Sequence, residues 1–531
     1  MNSDKDIKNL IHYFLREKYF QTVETLTLEG LKVHPDDSSF KLYNAFSLVL
    51  NGRLQECIRE LQVLINLKDI NIGATLALIA AHKLCKTIDK ESVLTLENKL
   101  KADRKVTNDL SLYYGALFLF FNDKLSKSTE YVDKFLKIHP NSIEGLILKG
   151  WIEISNSKTS DFKLASQCFN AALDKDKKNI DAYLGLIKIK EKENDMSGAM
   201  TILNQLIVKY PNSLPPLIEK MKIQLVSNDW DLTVEVANRI LLIDKNCIEA
   251  HKMKTLALIC KKGNFTEAAY SLKQLYNEIG KSEKKNGKLY FTNAQLFSYI
   301  SEKNPNILHE TYSFAEKAAQ IEPSNSDFLT ELGYQNLLQK NLKEAVKFFK
   351  NSTKLDESSV SALTGLTLCQ IEEGGLDDQI KQQVEFLREI QNEQQSSELL
   401  LMSAKLANTP GEAISYLNQC VQVHFNNFKK YPFGITYIYQ MNPVFLMEVV
   451  HEYLKYAPSD TLINFNNNKI PDVFAKSIMI LEELTNSCPG MVKAQFELAN
   501  VLFSVGNLKK AKNTLNFILG KIFNLPFIYF K

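Results

Sequence analysis

Apolar residues recur at intervals of three and four along nearly the whole chain, the spacing that places them on one face of an α-helix. Polar pairs or prolines break these helical runs every 12 to 16 residues. The stretch Ser326–Glu357 shows the pattern most fully. Leu329, Leu332 and Gly333 fall in a first helix and Ala345, Phe349 and Ser352 in a second, with Lys340-Asn341 as the turn between them. Small residues at Gly333 and Ala345 let the two helices approach, and Leu332 and Phe349 fill the space they leave. Pro323, whose ring cannot sit inside a helix, ends the preceding unit.

Pro35, Pro140, Pro211 and Pro323 each close one helical pattern and precede another, at separations of 105, 71 and 112 residues. Those are about three, two and three multiples of 34 or 35, and a helix pair every 34 residues is the tetratricopeptide period. The same phase predicts units beginning near Asp4, Ser38, Ile72, Asp109, Ile143, Ile180, Leu214, Ile248, Thr292 and Ser326. Insertions fall near 156–160 and 280–288. Phe496, Leu498, Ala499, Gly506-Asn507, Ala511 and Leu515 spell a further unit.

The signature weakens over Val360–Gln391 and is lost from Ser396 to Pro458, where amphipathic helices are still expected around Ala413–Val423 and Pro443–Lys455. Ile463–Ile470 reads as a polar loop. The predicted organisation is about eleven repeats over 4–393, an atypical helical interruption over 394–457, and further repeats over 458–531. A single unit cannot bury its apolar face, so stacked units share one core. The expected fold class is all-α, a tetratricopeptide-repeat α-solenoid, a right-handed superhelix of about thirteen to fourteen helix pairs. No heptad persists, which argues against a coiled coil.

Composition agrees. Gly (20) and Pro (14) are sparse in 531 residues, against a turn-rich β fold. Lys plus Arg (64) nearly balance Asp plus Glu (61), leaving +3 and no basic footprint for nucleic acid. The densest basic tract, Lys281–Lys288, contains a Glu and an Asn-Gly and reads as a solvated loop. The eight cysteines form no CxxC pair and read as buried small apolar residues in a reducing compartment. The N-terminus is polar, with no signal-peptide pattern. The longest uncharged apolar run, Leu110–Phe121, falls short of the about 20 residues of a membrane span. The eight histidines are widely separated, and HExxH, phosphate-loop, GxGxxG and GxSxG motifs are all missing. No catalytic residue, metal or cofactor is expected, and no enzyme.

In this phase the inner faces of units two to five carry Leu42, Phe46, Val49, Leu76, Tyr113, Leu117, Phe120, Ile147, Trp151 and Ile154. From Ile180 onward the equivalent positions bring in Asp181, Lys188, Glu191, Lys222, Glu249 and Lys252. A clamp for a peptide C-terminal carboxylate needs Lys, Arg and Asn on such faces, so the apolar lining disfavours one. Leu42, Phe46, Tyr113, Leu117, Phe120, Ile147 and Trp151 are the candidate protein-binding groove, with Tyr113 and Trp151 as anchors for an amphipathic helix or extended peptide. The competing explanation is that the superhelix winds tightly enough for these residues to touch one another or the next turn.

Specific strings go beyond the repeat. IHYFLREKYFQTVETLTLEGLKVHPDD from Ile11, KMKIQLVSNDWDLTVEVANRIL from Lys220, ELGYQNLLQKNLKEAVKFFKNSTKLDESSVSALTGLTLCQ from Glu331 and VEFLREIQ from Val384 resemble the tetratricopeptide repeat protein 21 family. That family is also called intraflagellar transport protein 139, a subunit of intraflagellar transport complex A. The most telling segment is YPFGITYIYQMNPVFLMEVVHEYL from Tyr431, which looks like the family's own interruption of the repeat. The resemblance covers about residues 4 to 515. It implies a non-enzymatic scaffold supporting retrograde transport in cilia and ciliary cargo trafficking. The implied partners are the complex's propeller-plus-solenoid subunits and ciliary cargo, with no nucleic acid and no membrane insertion. The implied location is the cilium and basal body, and the cytoskeleton-associated cytoplasm. The alternative is a generic adaptor or co-chaperone binding peptides of partner proteins. Family members continue for many more repeats, whereas this chain ends on the apolar ILGKIFNLPFIYFK, so it is expected to be a truncated portion of a longer protein, with a short paralogue as the alternative.

Overall fold

A computed structural model describes residues 4–85, 87–106, 109–156, 161–374, 378–391, 396–458 and 470–524. Among these residues are 29 α-helices, from Asp4–Arg16 to Leu508–Asn524, and no strand. That is fourteen helix pairs and one extra short helix, Ile435–Met441. The fold is the expected all-α tetratricopeptide solenoid. Most of the polar loop at 463–470, the insertion at 157–160 and the side chains of the apolar tail from Ile522 to Phe530 lie outside the described residues.

The predicted units begin where helices begin at Asp4, Ser38, Asp109, Ile143, Ile180, Leu214, Ile248 and Ser326, and one residue away at Asn71. The start near Thr292 needs correction. The helix there runs from Gly287 to Tyr299, because the preceding helix, Phe265–Ser282, extends into the tract expected to be loop. That tract is not wholly solvated either. Glu283 is fully buried and accepts from the backbone N–H groups of Gln21 (3.2 Å) and Thr22 (2.8 Å). These are free donors in the first turn of the helix Phe20–Val33, whose own N-cap side chain makes no capping bond. A distant carboxylate therefore caps that helix.

The chain divides into two compact units, Met1–Ile223 with Gly280–Asn286, and Gln224–Ile279 with Gly287–Lys531. The repeat is written into the backbone of both. Lys18, Gly52, Asp123, Asn194, Asn228, Gly263, Lys340, Gly374 and Gly506 all have φ between 55° and 92°. Each follows the first helix of a pair. The N–H one residue later reaches back over the turn, as Asn341 does to the Asn336 carbonyl at 2.9 Å, and Lys124, Asp195 and Asn507 do to Leu119, Lys190 and Leu502. This closure satisfies carbonyls that the helix end leaves open.

Between pairs the spacing is set by phenylalanine against glycine. Phe349, in Leu342–Leu355, is fully buried between Gly333 of its own pair and Gly365 of the next. A Cβ on Gly333 would stand 2.5 Å from the ring, and one on Gly365 closer still. Phe169 lies in the same way between Gly150 and Gly185. Gly333→Ala is therefore expected to overpack the helix pair and cost about 1–3 kcal/mol in urea unfolding. Adding Phe349→Leu should recover part of that loss. An unchanged midpoint for Gly333→Ala would contradict this packing.

Candidate functional site

In the first unit a cavity of about 320 Å3 lies among first helices of successive pairs. Tyr113, Leu117, Phe120, Ile147 and Trp151 line it. Leu42 and Phe46 do not; both are fully buried in the core cluster that runs from Ile7 to Ile152. Tyr113, Leu117, Phe120 and Ile147 are also buried, and Trp151 partly so. The rest of the lining includes Lys8, His12 and Arg16 of the helix Asp4–Arg16.

That helix is tied to the sixth and seventh pairs by polar groups that sequence periodicity does not reveal. One guanidinium nitrogen of Arg16 donates to Asp181 Oδ2 at 3.3 Å, and the other pairs with Oδ1. Trp151 Nε1 donates to the same carboxylate at 3.2 Å, and the guanidinium lies 4.1 Å from the Trp151 ring centre. Trp151, read from the sequence as a partner anchor, is thus already engaged by Arg16. Tyr13 donates its hydroxyl to Glu219 at 3.0 Å, and Lys222 donates to Glu219 and Glu17 at 2.9 Å each. Burial pushes His12 down to about 4, so its imidazole is neutral near pH 7, hydrogen-bonded with Tyr43 at 3.1 Å.

The second unit holds a larger cavity, about 670 Å3, where carboxylates and aromatic rings stand among aliphatic side chains such as Leu337, Leu368 and Leu401. Its walls come from the first helices Gly287–Tyr299, Ser326–Leu338, Val360–Glu372 and Ser397–Lys405, and from Pro443–Lys455. Glu331, only 3% exposed, accepts from Gln335 Nε2 at 2.8 Å and from Gln295 Nε2 at 3.0 Å. Burial lifts its carboxyl to about 7, with the two amide bonds opposing the rise. Glu398 is open to the cavity's own solvent yet surrounded by protein, which raises its carboxyl, and repulsion from Glu448 adds to the rise. The phenols of Tyr299 and Tyr334 stand well above their ordinary range, mainly through burial, with Glu331 and Glu398 contributing to both.

The segment singled out from Tyr431 supplies the last of these walls. Asn442, with φ of 41°, closes the helix Ile435–Met441, and its side chain accepts from the Phe445 N–H to start the next. Pro443 follows at the first helical position, where its missing N–H costs nothing. Tyr439 donates to Gln295 Oε1 at 2.7 Å, its ring lies 5.4 Å from that of Tyr299, and Lys303 pairs with Glu448. The interruption is therefore seated on first helices of the second unit. Among the described residues no group of three or more His, Cys, Asp or Glu is placed to hold a metal, and no helix is long and apolar enough to cross a membrane.

Two outcomes follow. Asp181 is nearly fully buried, so Asp181→Ala strands the Arg16 charge and should cost about 3–5 kcal/mol in chemical unfolding. A loss below 1 kcal/mol would show that the pair is solvated. For Glu331, the folded carboxyl lies above its ordinary 4.5. Its stabilising contribution is therefore present at low pH and lost as pH rises from about 4.5 through 7. Glu331→Gln should narrow the stability difference between pH 5 and pH 8 by about 2–3 kcal/mol. Parallel pH profiles for the two proteins would refute the shift.

Comparison with known proteins bears on this geometry directly. Family models described as the tetratricopeptide repeat protein 21 N-terminal ARM repeat and second ARM domain match residues 11–234 and 270–525. Tetratricopeptide repeat protein 21B of Homo sapiens is 36% identical over 97% of this chain and 39% of its own length. The Mus musculus protein of that name matches with the same identity and coverage, and the Xenopus laevis protein is 32% identical over the same shares. This chain thus spans about 39% of the length of those relatives. Among solved structures, yeast Tom70 aligns over 79% of this chain and 88% of its own at 13% identity and a TM-score of 0.38; the fold assignment rests on the helix pairs themselves. The second family model takes in the 431–454 segment together with the helices it is seated on, and with the first it accounts for most of the sequence: the chain belongs to the tetratricopeptide repeat protein 21 family.

Proposed function

We propose that this chain is a non-enzymatic scaffold subunit of intraflagellar transport complex A, supporting retrograde transport and cargo trafficking in cilia. The observation that carries this reading is family membership over nearly the whole chain, the interruption from Tyr431 included. The two cavities are consistent with it. Both are built by packing of helix pairs, as in a repeat solenoid. Repeat solenoids of this kind present extended surfaces to other proteins. The partners proposed are the complex's propeller-plus-solenoid subunits and ciliary cargo, in the cilium, at the basal body and in the cytoskeleton-associated cytoplasm. A co-chaperone clamp for a C-terminal carboxylate is disfavoured in the second unit as well, because carboxylates such as Glu331 and Glu398 stand on the inner helices.

Affinity capture of the tagged chain from ciliated cells, followed by identification of the co-purifying proteins, tests this. Stoichiometric recovery of propeller-plus-solenoid subunits, together with fluorescence of the tagged chain at the ciliary base, is the expected result. Recovery of chaperones alone, with diffuse fluorescence, would overturn it.

A further inference from the structure

Two of the buried cysteines meet. Cys260 and Cys488 are both 0% exposed and stand 228 positions apart in the chain. The thiol of Cys260 is hydrogen-bonded with that of Cys488. The backbones beside them are held just as closely. Cys260 lies in the wider turn Leu258–Lys262, and its carbonyl accepts from the Gly490 N–H at 2.5 Å. Cys488 ends the helix Asp472–Ser487, two residues before that donor. A Cβ on Gly490 would collide with the Ile259 carbonyl and the Cys260 backbone, so only glycine at 490 permits this approach. Burial as small apolar residues accounts for each cysteine alone but not for their contact.

We propose that Cys260 and Cys488 form a reversible disulfide that clasps this seam of the second unit, with a peroxide as the oxidant. One sulfur, as thiolate, attacks a peroxide oxygen. The O–O bond breaks, water leaves, and the sulfur becomes a sulfenic acid. The second sulfur then attacks the first, the S–S bond forms, and the sulfenic oxygen leaves as a second water. The two thiols supply the two electrons, and their protons end in the two waters. The product is the same whichever sulfur is oxidised first. A disulfide cannot bridge backbones more than about 7 Å apart at their Cα atoms. Here the thiols are already in contact, and a backbone hydrogen bond joins one cysteine to the residue two beyond the other. Burial pushes the Cys260 thiol well above its ordinary range, and the Cys488 thiol beside it adds to the rise. Thiolate is therefore scarce while the seam is shut, and oxidation waits on its transient opening next to half-buried Lys261 and Pro489. The walls of the second unit's cavity and the interruption from Tyr431 all lie between the two cysteines in sequence, so the bond would close a loop around them. The proposal goes beyond the transport reading and does not rest on it.

Hydrogen peroxide, added to the folded full chain before alkylation, trypsin digestion and mass spectrometry, tests the proposal. The expected product is a disulfide between Thr255–Lys261 and Ser477–Lys493, the tryptic peptides that carry the two cysteines. Half-buried Cys85 is the internal control, since its oxidation shows that peroxide has acted. The linked chain is expected to melt about 2–4 °C higher, because the cross-link constrains the unfolded state, and dithiothreitol should reverse the shift. Cys488→Ser should abolish it. Absence of the linked peptide once Cys85 is fully oxidised overturns the proposal, as does a linked peptide that forms only in urea. A linked chain with an unaltered melting temperature overturns the clasp. Should Cys488→Ser fail to fold, the linked peptide and the reversible shift in the unaltered chain decide alone.

Discussion

The rest of the structure depends on a ring held between two backbones. Phe349 fits only because Gly333 and Gly365 offer no side chain at the two faces it touches, and Phe169 repeats the arrangement with Gly150 and Gly185. Glycine inside a helix costs about 1 kcal/mol relative to alanine, so two of them oppose helix formation by about 2 kcal/mol. Full burial of a phenylalanine side chain stabilises by about 1.5–3 kcal/mol, and the close approach it allows buries the neighbouring helix faces too. Burial wins, and the thickness of the ring then fixes the step from one helix pair to the next. The left-handed residue that follows nine of the first helices fixes the turn within those pairs. In the pair that holds Phe349 local geometry is thus set twice, by the ring and by Lys340, without reference to distant parts of the chain.

Distant parts meet all the same, and by different chemistry in each unit. In the first unit the opening helix reaches the sixth and seventh pairs through Arg16 with Asp181 and Tyr13 with Glu219. A buried ion pair is weak evidence of net stability, because desolvation offsets much of its attraction. Its effect is to make one register acceptable: shifting the helix by a turn would strand two charges. In the second unit the closure is made by backbone. The helix from Ile248 ends in a wider turn, Leu258–Lys262, and the Cys260 carbonyl there accepts from the Gly490 N–H. A Cβ on Gly263 or Gly490 would collide with the facing backbone, so glycine is required on both sides.

This division explains what the sequence reveals and what it conceals. Helix starts at Ser38, Ile143, Ile180 and Ser326 are legible because turn residues, prolines and small residues recur in phase with them. The start at Gly287 is not, because the helix before it runs on to Ser282 and breaks the period. Leu117, Ile147 and Trp151 are legible as an inner wall, since helical spacing puts them there. What stands beside them is not, because Arg16 and Asp181 are 165 positions apart and no periodicity connects them. The same holds for Glu283, whose capping of Thr22 spans 261 positions inside a tract that reads as solvated. The signal available for the acidic cavity was the loss of the repeat around Tyr431. A segment abandoning the period that surrounds it has another surface to satisfy, and Tyr439 and Phe445 show which.

The seat of that segment also bears on why carboxylates persist inside the second unit. Tyr439 uses Gln295, and Gln295 in turn donates to Glu331, so the acid belongs to a chain of hydrogen bonds that positions the interruption. A leucine at position 331 would remove the desolvation penalty but would leave the amide groups of Gln335 and Gln295 without an acceptor, each loss costing about 1–3 kcal/mol. The penalty for the acid is of similar size, so the two choices nearly balance in the isolated fold. Glu398 has no such network to justify it among the described residues, and the repulsion from Glu448 works against it. Burial and that repulsion both favour its protonated form, so the carboxyl of Glu398 stays neutral further up the pH scale than an ordinary glutamate.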